Sequence, residues 1–130
     1  MKRAILFRGK TITGEWVYGY YEFDEHLQTG LIRNGKGFVS EVVSDTIGEY
    51  SAKLDIHKKR ICEGDIVSLW PKQYPTIKSD YEVLFDGNEF TLIHAKREGD
   101  KYGVYTHRFN LYGDEYKVIG NIHDNPELSK

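Results

Sequence analysis

The segment Arg60-Ile61-Cys62-Glu63-Gly64-Asp65-Ile66-Val67-Ser68-Leu69-Trp70 constrains the fold more than any other part of the chain. It reads as a tight turn feeding one buried strand. Gly64 can take the positive φ of a sharp corner, Asp65 beside it can accept backbone N–H groups, and Ile66, Val67, Leu69 and Trp70 form the strand's apolar body. Trp70 downstream and Trp16 upstream are expected as core anchors. A strand buried this way needs others to cover it.

The remaining sequence supplies them. Residues 4–8 and 15–23 flank a polar turn at 9–14 and read as a hairpin. Trp16, Tyr18 and Tyr20 alternate with Val17, Gly19 and Tyr21, so both faces of the second strand are apolar, as in a central strand or one meeting a partner. Residues 31–33 and 38–43 flank Asn34-Gly35-Lys36-Gly37, where Asn-Gly predicts a type I′ hairpin turn. Over 44–50, Ser44 or Asp45 could cap a single helical turn, with extended structure the alternative. Downstream, 65–70, 81–85, 90–96, 104–109 and 116–122 read as successive strands. Asp86-Gly87-Asn88, the loop between Trp70-Pro71 and Tyr74-Pro75, and Gly113 carry the turn chemistry between them. Strands at this spacing, without helical periods, predict a mainly β fold with little helix, built as a small barrel or strongly bent sheet. At 130 residues one domain with one core is expected. The polar stretch 53–60 is its seam, between an N-terminal β-hairpin layer at 1–52 and a barrel-like unit at 61–125.

Composition narrows the setting. Eighteen Lys and Arg against twenty Asp and Glu leave a net charge of −2, so no global field draws the chain to nucleic acid or to an anionic membrane. A single cysteine excludes an intrachain disulfide, and no apolar leader follows Met1-Lys2-Arg3. The cytoplasm is the expected compartment, and no membrane is expected as a partner.

Candidate chemistry is sparse. Cys62, near His57 and beside Glu63, would make a poor nucleophile, since an adjacent carboxylate suppresses the thiolate; a buried small hydrophobe is expected. His94, His107 and His123 are expected on three strands without metal-ligand spacing, so neither metal nor cofactor is anticipated. Pairs such as Glu63 with Asp65, or Asp114 with Glu115, lack any sign of a cleft, and no catalytic residues are assigned. Lys53, Lys58, Lys59 and Arg60, with His57 among them and Tyr74, Tyr81, Tyr102, Tyr105 and Tyr112 nearby, are the one stretch that resembles a nucleic-acid surface. Such a stretch also serves as a solvated charged face.

Three blocks carry a family resemblance. Ile5-Leu6-Phe7-Arg8-Gly9-Lys10 with Gly14-Glu15-Trp16-Val17-Tyr18-Gly19-Tyr20 opens the chain, and Asp45-Thr46-Ile47-Gly48-Glu49-Tyr50 runs into Ile61-Cys62-Glu63-Gly64-Asp65-Ile66-Val67. Tyr116-Lys117-Val118-Ile119-Gly120-Asn121-Ile122-His123-Asp124-Asn125-Pro126-Glu127-Leu128 closes it. Together they resemble the YopX family, found mainly in phages and prophages of low-GC Gram-positive bacteria. The family pattern has Gln at Glu49 and an aromatic at Cys62. It has Thr-Gly-Leu where Ser51, Ala52 and Leu54 stand with Lys53 between, and Asp-Lys-Asn-Gly across 55–58. The resemblance implies a β-dominated fold with an SH3-like barrel portion, and it brings no catalytic activity or ligand.

The expectation is therefore a non-enzymatic phage or prophage protein, most simply a protein-interaction module whose partner is another protein or a second copy of itself. A nucleic-acid-binding small β-barrel is the runner-up. Gly64, Asp65, Trp16, Trp70, Gly120, Asn121 and Pro126 are assigned structural roles.

Overall fold

A computed structural model describes residues 5–70, 80–95, 106–110 and 113–129. The chain divides into two compact units, Met1–Tyr50 and Ser51–Lys130. Every regular element of length is a strand, and among the described residues short 3-10 turns, such as Ser44–Thr46 and Pro126–Ser129, interrupt them. The mainly β expectation holds.

In the first unit, β1 (Phe7–Lys10), β2 (Trp16–Asp24), β3 (Thr29–Arg33) and β4 (Val39–Val42) form an antiparallel meander, and the start of β5 (Gly48–Leu54) pairs with β1. The register puts Phe7, Val17, Tyr21, Ile32 and Val42 on one face. Ile32 and Val42 are buried there. The sheet curls enough for the Val43 N–H to donate to the Lys10 carbonyl at 2.8 Å. The Thr46 hydroxyl accepts the Lys10 N–H at 2.8 Å and donates to the Val43 carbonyl at 2.6 Å. The 3-10 turn that carries Thr46 starts at Val43 without a side-chain cap, so neither Ser44 nor Asp45 caps it.

Three hairpin turns share one construction, and it corrects the type I′ expectation. In each, the N–H of the fourth residue donates to the carbonyl of the first: Gly14 to Thr11, Gly37 to Asn34 and Lys58 to Asp55. The positive φ falls on that fourth residue, at 92° in Gly14, 88° in Gly37 and 67° in Lys58. A type I′ turn would need positive φ at both central positions. Asn34 instead occupies the first position because its side-chain Oδ1 accepts the N–H groups of Lys36 and Phe38.

The second unit opens with a hairpin of the end of β5 and β6 (Arg60–Cys62), where a polar seam had been expected. It continues into an antiparallel sheet of β7 (Asp65–Trp70), β8 (Asp80–Phe85), β9 (Phe90–His94), β10 (Thr106–Arg108) and β11 (Glu115–Asn121), in the order β10-β9-β8-β7-β11. Among the described residues β10 and β11 are edges that do not pair with each other, so this sheet is open and the SH3-like barrel is not seen as a closed barrel. Ile61, Val67, Val83, Leu92 and Tyr116 form its buried cluster, with Leu69, Tyr81, Phe90, Phe109 and Val118 packed against it. The Tyr116 ring stacks on Phe109 at 5.2 Å, and its hydroxyl accepts the Asn110 N–H. Burial pushes the Tyr116 phenol up to about 12.

Neither tryptophan anchors this core. Strand alternation turns Leu69 inward beside Tyr116 and sends Trp70 to the opposite face, paired with Glu115, where it is 48% exposed. Trp16 is half-buried on the first sheet, with the Arg8 guanidinium 4.6 Å above its ring. The Lys10 ammonium lies 5.8 Å from the same ring, so two cations flank it.

Gly64 makes the expected corner, at φ 93°. Its N–H donates to the Val83 carbonyl and its carbonyl accepts the Ile122 N–H, both at 2.9 Å, while the Asp65 carboxylate accepts the Cys62 N–H at 2.8 Å. One residue thus ties the start of β7 to β8 and to the exit of β11. At that exit Val118 and Gly120 flank a bulge. A Cβ on Gly120 would meet Asn125 Oδ1 at 2.6 Å. Asn121 Oδ1 accepts the N–H groups of His123 and Asp124, and Pro126 opens the following 3-10 turn. A Gly64→Val substitution is expected to destabilise the protein by ~2 kcal/mol or more, or to unfold it. Urea denaturation measures this, and an unchanged midpoint would refute the role of the corner.

Candidate functional site

Two surfaces emerge, one on each unit. On the first, the register places Arg8, Lys10, Trp16, Tyr18, Tyr20, Leu31, Arg33 and Val39 on the face opposite Ile32 and Val42. Tyr20 is 53% and Val39 43% exposed, and each lies opposite Arg33 in the ladder. Arg33 Nε donates to Glu22 Oε1 at 2.7 Å. That hydrogen bond, reinforced by the guanidinium charge, holds the Glu22 carboxyl below its ordinary range. Phe23, Leu27, Phe38 and Val43, all in the same unit, are also exposed.

On the second unit, the β5–β6 hairpin is built around Asp55, which is 3% exposed. Its Oδ1 accepts the N–H groups of His57 and Lys59, at 2.8 and 2.9 Å, and its Oδ2 accepts the Val118 N–H at 2.9 Å. The Ile56 N–H donates to the Tyr116 carbonyl at 2.9 Å. The hairpin is therefore fastened to β11. Burial alone would raise the Asp55 carboxyl, but the N–H groups of Val118, Lys59 and His57, with the nearby His57 charge, outweigh it and hold the group below its ordinary 3.8. Above this hairpin lies an open cleft of about 610 Å³ lined by Ala52, Lys53, Leu54, Asp55, Ile56, Lys58, Asn110 and Glu115. Of the four expected cations, Lys58, Lys59 and Arg60 are exposed and Lys53 is half-buried. The cleft gathers Lys53 and Lys58.

Sequence reasoning missed Asp55, which it had placed inside a basic stretch. The readable signal was an acid at the first position of a four-residue turn, the place where Asn34 also stands. Tyr81 lies on the core side of β8, while Tyr74, Tyr102, Tyr105 and Tyr112 fall outside the described residues. His94 and His107 meet edge to face at 5.2 Å, both against Tyr81, whereas His123 lies beyond β11 in the Asn121 turn rather than on a strand. Among the described residues no three His, Cys, Asp or Glu side chains converge as metal ligands. Cys62 is fully buried, as expected of a small hydrophobe.

Two substitutions test the hairpin. Asp55→Asn, which cannot accept all three N–H groups equally well, is expected to destabilise the protein by ~2–3 kcal/mol at pH 7. Because folding depresses this carboxyl, its contribution is present above the ordinary value of 3.8 and is lost as pH falls through and below it. The gap between wild type and variant in urea unfolding should narrow between about pH 6 and pH 3; a constant gap would remove Asp55 from the pH dependence. Lys58→Gly relieves a lysine at φ 67° and is expected to raise stability by ~0.5–1 kcal/mol, with the thermal midpoint as the measurement.

No curated protein matches the chain. The family model described as YopX protein matches residues 8–130, from β1 to the end of the chain. The chain therefore belongs to the YopX family.

Proposed function

We propose that this protein is a non-catalytic protein-interaction module that works through the outward face of its first sheet, with another protein or a second copy of the chain as its partner. The observation that carries this reading is the half-exposed Tyr20 and Val39 flanking Arg33, beside Trp16 and Tyr18. Tyr, Trp and Arg are the residue types that dominate binding energy at protein interfaces, because each combines a large apolar body with hydrogen-bonding capacity. The charged residues on the same face, Glu22 and Glu41, suit a polar rim around such a centre. In this reading the protein acts in the cytoplasm of a bacterium carrying phage or prophage, in keeping with where the family occurs. Among the described residues no helix is long and apolar enough to cross a membrane.

The test pairs sedimentation over a range of concentrations with nuclease-treated affinity capture from bacterial lysate, using wild type and a Tyr20→Ala/Arg33→Ala variant. Both positions are exposed, so the variant should melt with wild type while its self-association, or its capture of a stoichiometric protein, weakens at least about tenfold. Equal association by the two proteins, or recovery of nuclease-sensitive material alone, would overturn the proposal.

A further inference from the structure

The β5–β6 hairpin carries a local excess of positive charge in a chain that is slightly acidic overall. Between residues 53 and 60 stand four cations, Lys53, Lys58, Lys59 and Arg60, and one acid, Asp55, in a chain whose total charge is −2. That acid is turned inward, with both oxygens accepting backbone N–H groups, so the hairpin surface is cationic. Lys53 and Lys58 line the same open cleft, together with Asn110 and two acidic residues, Glu115 and the inward-turned Asp55. Lys58 does so from a left-handed backbone conformation that a glycine would hold with less strain.

We propose that this cleft binds the phosphate backbone of a nucleic acid, with Lys53 and Lys58 supplying the charge. Two features select phosphate over the carboxylates of an acidic peptide, and backbone over bases. Both cations in the cleft are lysines, compact point charges that suit phosphate, whereas paired recognition of carboxylates favours the arginine fork. Leu54 and Ile56 contribute only aliphatic surface, and among the described residues the lining holds no aromatic ring on which a base could stack. Contact is then with the sugar-phosphate chain, independent of base sequence. Glu115 faces the same space and opposes any anion, which sets this site's affinity below what its lysines alone would give. The inference stands apart from the protein-interaction reading, because it uses no residue of the first unit, Met1–Tyr50.

The test is fluorescence anisotropy with a labelled single-stranded oligonucleotide of about 20 nucleotides, titrated at several salt concentrations between about 50 and 200 mM. Wild type should bind, with affinity falling steeply as salt rises. Lys53→Gln/Lys58→Gln should lower the slope of log affinity against log salt by about one to two. Glu115→Gln should bind more tightly than wild type, a gain that no loss of fold could imitate. Lys58→Gly should melt higher than wild type yet bind more weakly. Absence of wild-type binding at low salt, an unchanged slope in the double variant, or weaker binding by Glu115→Gln would overturn the proposal. So would more effective displacement of the probe by a polyglutamate peptide than by unlabelled oligonucleotide, which would move the cleft to an acidic protein partner.

Discussion

The Asp55 carboxylate holds together parts of the second unit that the sequence keeps far apart. Two of its three N–H donors, His57 and Lys59, belong to its own turn, and the third, Val118, belongs to β11. A charged acceptor with several backbone donors is among the stronger interactions a protein can make, and it also removes the cost of burying an ionised group. Its position explains the surface above it. The acid's oxygens are turned inward to backbone N–H groups, so the side chains that the hairpin exposes, Lys58, Lys59 and Arg60, are cationic.

Most of the strands could be read from the sequence because their apolar alternation is local. β2, β7 and β8 fall within a residue of where the pattern put them. Gly64 could be read as a corner because few residues tolerate its backbone angle. The hairpin of β5 and β6 could not: its residues are polar or basic, and its stability comes from a side chain whose third hydrogen bond is made 63 residues away. Periodicity carries no information about such a contact. Trp70 was misjudged for a related reason. Strand alternation allowed either Leu69 or Trp70 to face inward, and only the pairing of Glu115 opposite Trp70 settles the parity. The Asn34 turn shows the limit of a dipeptide signal, since Asn-Gly marks the bend correctly while the side-chain hydrogen bonds of Asn34 decide its type.

Surface chemistry is segregated along the chain. Among the described residues most of the exposed large hydrophobic side chains, including Tyr20, Tyr21, Phe23, Leu27 and Phe38, precede residue 51, whereas the run Lys58-Lys59-Arg60 follows it. In the first unit the apolar excess arises because β2 carries large side chains on both of its faces and, Gly19 apart, none of its residues is fully buried. In the second, Phe109 meets both Phe90 and Tyr116 at the core, while Trp70 lies half-exposed on the other face of β7. The candidate surfaces of the two units therefore differ in kind, one aromatic and one cationic.

The pairing of β11 with β7 also bears on how the protein is made. Every other neighbouring pair in the second sheet joins strands that are consecutive in sequence, whereas β7 waits for β11 to cover its far edge. During synthesis β7, with Ile66 and Val67 at its centre, leaves the ribosome well before that partner exists. Until β11 arrives, the growing chain displays an apolar strand with an open hydrogen-bonding edge, the geometry that recruits a strand from any other chain. The C-terminal segment thus acts as a late-arriving guard, and the interval before it emerges is when the protein is most exposed to misassembly on the polysome.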